Sequence, residues 1–181
     1  TFKSGKKLQI NSRRFLSLAK DEIGAIRYAV KPLNFGGNIE LIPFIDGNVV
    51  NRDANYDEKF WDIPETGFHK GSAWLHARTQ KSGFDVCFTM SFEVEINGKP
   101  AECLTTPVQN KGFIGYRLDL DISQNDELVL FKYVAVTDSL NCDQMNLTIE
   151  GISIVTNAGK KKFDGLFAEH IAKWEENWTH S

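Results

Sequence analysis

The sequence predicts an all-β fold, an antiparallel β-sandwich closed by a single C-terminal helix, and three observations carry that reading. Apolar residues recur at every second position over long stretches, the mark of strands with one packed face. Turn-forming clusters separate these stretches at short spacing with no amphipathic helix between them, which argues against a parallel α/β sheet. Only the last segment changes period: Phe167, Ile171, Trp174 and Trp178 fall four, three and four residues apart, on one helical stripe.

The elements follow in chain order. Residues 8–15, 25–30 and 39–45 read as strands, the last two flanking a corner at residues 32–37. Residues 52–72, RDANYDEKFWDIPETGFHKGS, read as one long loop, and loops of that length in compact domains are usually functional or interfacial. Phe84, Val86, Phe88, Met90, Phe92, Val94 and Ile96 form an unbroken alternating series, while the opposite face carries Asp85, Cys87, Thr89, Ser91, Glu93 and Glu95. Asn97-Gly98 then predicts a tight type I′ turn. A return strand is expected over 101–104, with Pro100 placing its start at an edge or a bulge. Ile114, Tyr116, Leu118, Leu120 and Ile122 give a further alternating strand. Residues 128–136 are apolar on both faces, as a strand between two layers would be. Leu147, Ile149, Ile152 and Ile154 suggest a short strand interrupted at Gly151, and Asp164 is the expected N-cap of the final helix.

Composition bounds the function classes. At 181 residues the chain suits one domain, with 41% hydrophobic and 25% charged residues, ordinary for a globular protein. A net charge of −3 leaves no electrostatic footprint for nucleic acid or an anionic membrane. The runs Lys6-Lys7 and Lys160-Lys161-Lys162 are shorter than basic binding patches and read as solvated ends. No apolar run is long enough to span a bilayer. Cys87, Cys103 and Cys142 are odd in number and widely spaced, so they imply neither a disulfide framework nor a zinc site; they read as packing residues in a reducing, cytoplasmic setting.

Chemistry-bearing patterns are sparse. His69, His76, His170 and His180 have no metal-ligand spacing, Ser17 and Ser72 lack a nucleophile elbow, and the glycine pairs are too few for a phosphate loop. The expected catalytic set, metal set and cofactor set are all empty. The 52–72 segment sets carboxylates beside aromatic rings, the combination a sugar site uses. Tyr56, Phe60, Trp61, Asp62 and Phe68 are therefore the candidates for carbohydrate or interface contact. Trp174 and Trp178 need a covering surface and are the candidates for a linker interface.

The segment from Arg14 to Asn51, with its Arg14-Phe15-Leu16-Ser17 turn, Tyr28, the Pro32-Leu33-Asn34-Phe35 corner and Asp46-Gly47-Asn48-Val49-Val50-Asn51, resembles the N-terminal β-sandwich domain of glycoside hydrolase family 65. The closing LFAEHIAKWEENWTHS is similar to the helix that leads from that sandwich into the family's (α/α)6 catalytic barrel. The resemblance implies a supersandwich of the galactose mutarotase-like kind over residues 1–163, lacking its first strands, and the start of a helical linker over 164–181. It implies a noncatalytic domain of an enzyme that cleaves α-glucosides by phosphorolysis or hydrolysis. The general acid, the phosphate site and the inorganic phosphate co-substrate would belong to the barrel, an α-glucoside would be met only through the full-length enzyme, and a homodimer is an expected assembly. A free-standing carbohydrate-binding or structural β-sandwich is the alternative. Exposed tryptophans on the terminal helix would favour the first reading, buried ones the second.

Overall fold

The computed structural model describes residues 4–49 and 59–179. Eleven strands and one long helix are present among them: β1 Leu8–Leu16, β2 Ile23–Pro32, β3 Gly37–Leu41, β4 Phe44–Asp46, β5 Trp61–His69, β6 Ser72–Thr79, β7 Asp85–Ile96, β8 Lys99–Pro100, β9 Leu104–Asn110, β10 Phe113–Ile122, β11 Leu128–Asp138 and α1 Leu147–Thr179. A seven-stranded sheet runs β1-β2-β11-β7-β6-β5, with β8 added to the end of β7. In the second sheet β10 is central, β9 lies along one edge, and β3 and β4 follow one another along the other. Every pairing is antiparallel.

The alternating series explain the packing. Leu75, Met90 and Leu128 of the large sheet are fully buried against Ile114 and Leu118 of β10, and Phe88 and Phe92 pack on this core half-buried. The opposite face of the large sheet is covered by α1: Ile23, Ala25, Tyr133 and Ala135 meet Val155, Ala158, Phe163 and Leu166. β11 therefore sits between two layers, as its two apolar faces required. The Asn97-Gly98 turn has positive φ at both residues, 53° and 73°.

Four expectations need correction. The second half of the 52–72 loop is strand β5, paired with β6 through a turn at Lys70-Gly71 where both φ are positive, 45° and 82°. Pro64, Gly67 and a register shift between Asp62 and Glu65 break its alternation, and an edge strand tolerates all three. The strand expected around Leu147 to Ile154 is the first part of α1, because tertiary packing of Leu147, Gly151 and Val155 overrides the β preference of the isoleucines. The helix thus begins well before Asp164, which stands two residues past a bend at Lys162. Finally, after Asn97-Gly98 only Lys99–Pro100 returns along β7; the chain then crosses over, and β9 starts at Leu104 on the other sheet.

Candidate functional site

Where β5 begins, its edge and the β6–β7 turn enclose an open cleft of about 500 Å³ lined by Lys59, Phe60, Trp61, Thr79, Gln80, Lys81 and Ser82. Register builds it: Trp61 lies opposite Thr79 and Asp62 opposite Arg78, so the ring sits at the mouth of the turn. The turn is held by Gly83 N–H donating to Thr79 O at 3.0 Å, Phe84 N–H donating to Thr79 Oγ1 at 2.8 Å, and the Thr79 and Ser82 hydroxyls in contact. Gln80 ties turn to strand, its N–H donating to Phe60 O and its Nε2 to Asp62 Oδ1 at 2.9 Å. Phe60 and Trp61 remain 44% and 39% exposed. Rings, an amide, hydroxyls and two lysines can bind a polyhydroxylated ligand or a polar protein surface. No carboxylate is among the described lining residues, and Asp62 is occupied by Gln80.

The other candidates disperse. Phe68 turns inward and packs edge-on against Tyr116 at 5.0 Å, on the sandwich core and away from the cleft. Tyr56 lies outside the described residues. Trp174 and Trp178 are 47% and 65% exposed, edge-to-face at 5.8 Å on the outer end of α1.

Three polar arrangements escaped the sequence reading. On the outer face of the large sheet, buried Asp85 accepts from Gln144 Nε2 at 2.8 Å, with His76 Nε2 3.6 Å and Arg78 Nε 3.9 Å from its other oxygen. Beneath α1, the fully buried Tyr133 donates its hydroxyl to Glu93, whose second oxygen accepts from Lys162; burial first, then Glu93, raises the Tyr133 phenol well above its ordinary range. On the inner face, Lys132 donates to Phe44 O, and burial lowers its ammonium pKa to about 8. The lysine inside LVLFKYVAV was the one available signal for that last site. Burial also raises the Cys87 thiol. Among the described residues no three His, Cys, Asp or Glu side chains could hold a metal ion, and no helix is long and apolar enough to cross a membrane.

These features define a class: an antiparallel β-sandwich with a helix on its outer face and an aromatic cleft at the start of an edge strand. The family-wide profile of the glycosyl hydrolase family 65 N-terminal domain matches residues 1–177, and the chain belongs to that domain family. It is 30% identical to the maltose phosphorylase of Bacillus subtilis (strain 168), over 96% of this chain and 22% of that protein. It is 24% identical to the kojibiose phosphorylase of Halothermothrix orenii, over 92% of this chain and 22% of that protein. It is also 24% identical to the α,α-trehalose phosphorylase of Thermoanaerobacter brockii, over 98% of this chain and 23% of that protein. A solved structure from the human microbiome, provisionally described as a kojibiose phosphorylase, superposes with a TM-score of 0.75 at 17% identity, covering 92% of this chain and 21% of that one, and shares the fold. The chain thus spans under a quarter of the length of these curated relatives.

Proposed function

We propose that this chain is the noncatalytic N-terminal domain of an α-glucoside phosphorylase, in which a separate (α/α)6 barrel performs the chemistry with inorganic phosphate as co-substrate. The observation that carries this reading is the family match over nearly the whole chain, to relatives named as phosphorylases of which it covers 22–23%. On this reading residues 1–163 form the sandwich unit, with the first part of α1 as its outer layer, and 164–181 open the link to the barrel. Exposure of Trp174 and Trp178 supports a domain interface over a free-standing module. A cytoplasmic homodimer is the proposed assembly.

The cleft lined by Phe60 and Trp61, with Asp62 beside it holding Gln80, is proposed as a contact surface for the rim of the active site or for a neighbouring subunit, not as part of the chemistry. In the full-length protein, Trp61→Ala is expected to weaken association or raise KM for the acceptor sugar while turnover at saturating substrate stays close to wild type. A large fall in turnover number, with assembly and stability unchanged, would contradict the assignment.

A further inference from the structure

The bend in α1 occurs at a residue whose backbone it does not suit. Lys162 has φ 66° and ψ 164°, a region occupied essentially by glycine because a Cβ clashes there. Glycines stand three residues to either side, Gly159 and Gly165, yet the bend falls on a lysine.

The side chain supplies what the backbone lacks. The Lys162 ammonium reaches Glu93 Oε2 on β7, and Glu93 Oε1 accepts the hydroxyl of buried Tyr133 on β11. Phe163 is buried, with its ring 5.4 Å from Phe15, 6.1 Å from Phe131 and 6.1 Å from Phe167. Beyond Phe163, side chains of the helix meet β1 and the turn after it: Phe167 packs on Phe15 at 5.4 Å, Arg13 lies over the Phe167 ring, and His170 Nδ1 accepts the Leu18 N–H at 3.2 Å. An unbent helix would carry Phe163 and Phe167 off these partners.

We infer that Lys162, Glu93 and Tyr133 form a latch that holds α1 in a strained bend and so fixes the direction in which the Trp174/Trp178 segment leaves the sandwich. Lys162 and Glu93 are positioning residues; neither touches the cleft. The purpose of a fixed direction rests on the proposed link to a second domain, but the latch is a property of this chain alone.

Two measurements on this chain test it, and neither depends on enzyme activity. Lys162→Gly and Lys162→Ala both remove the ammonium and differ only in the backbone. In an ordinary helix interior glycine is the less stable of the two, whereas in the strained bend Lys162→Gly should melt above Lys162→Ala. The ordinary order, alanine above glycine, would overturn the strained bend. In the second, Glu93→Gln should speed amide exchange across residues 163–171 by about tenfold while residues 147–158 keep their protection, and it should add little in the Lys162→Gly background. Acceleration spread evenly along the helix, or none, would overturn the latch. Failure of the phosphorylase reading would leave both results unchanged, so the two ideas fall separately.

Discussion

Lys132 shows how one residue can set a pH dependence for the whole domain. Its ammonium sits under Phe44 with a backbone carbonyl as acceptor, and burial favours the neutral amine. The unfolded chain keeps this proton up to about 10.5, whereas the folded chain releases it from about 8. Between those values the unfolded state binds more protons, so stability rises with pH. Denaturant midpoints should therefore climb from pH 7.5 to 9.5 in the wild type and stay flatter in Lys132→Met; parallel profiles would refute the buried-amine account. Above that window the raised phenols of Tyr116 and Tyr133 act in the opposite sense, since the folded state then holds the extra protons. Met90 tests the core itself. It is fully buried between the sheets, and Met90→Ala should cost on the order of 2–5 kcal/mol. The half-buried Phe88 should cost less on truncation than a fully buried ring.

At the level of elements, the contact between α1 and the large sheet depends on Gly151. A Cβ there would lie 2.3 Å from Thr89 Oγ1, so Gly151→Ala should lower the melting temperature despite alanine's better helix propensity, and adding Thr89→Ala should recover part of the loss. A stabilising Gly151→Ala would mean the helix does not sit where it is described. Strands with a clean period of two, β7 and β10, were legible from sequence because each sets its large apolar residues on the face toward the core between the sheets, while the face of β7 under α1 carries the smaller or polar Asp85, Cys87 and Thr89. β5 was hidden by Pro64 and its register shift, features that an edge allows and a pattern search penalises. The first half of α1 was hidden because its buried stripe uses glycine and alanine, Gly151 and Ala158, while exposed Ile149 mimics a strand residue. Of the site, Phe60 and Trp61 were legible from composition, as was Asp62, which holds Gln80 from beside the cleft. Thr79, Gln80 and Ser82 were not, because the antiparallel pairing of β5 with β6 brings them there from a separate turn.

For the whole molecule, the two exposed tryptophans link this domain to its proposed setting. Trp174→Ala with Trp178→Ala should change the stability of this chain by no more than about 1 kcal/mol, as solvent-exposed positions do. In the full-length protein the same pair should cost several times more, on the large-to-small scale of a buried ring; equal effects in both would remove the proposed domain interface. The central claim is that the sandwich carries no chemistry of its own. The most direct measurement is glucose and glucose 1-phosphate release by this chain from maltose, kojibiose and trehalose, with and without inorganic phosphate. The account predicts no release above the enzyme-free rate under any of these conditions. Release that disappears on substitution of a single residue of this chain would contradict it.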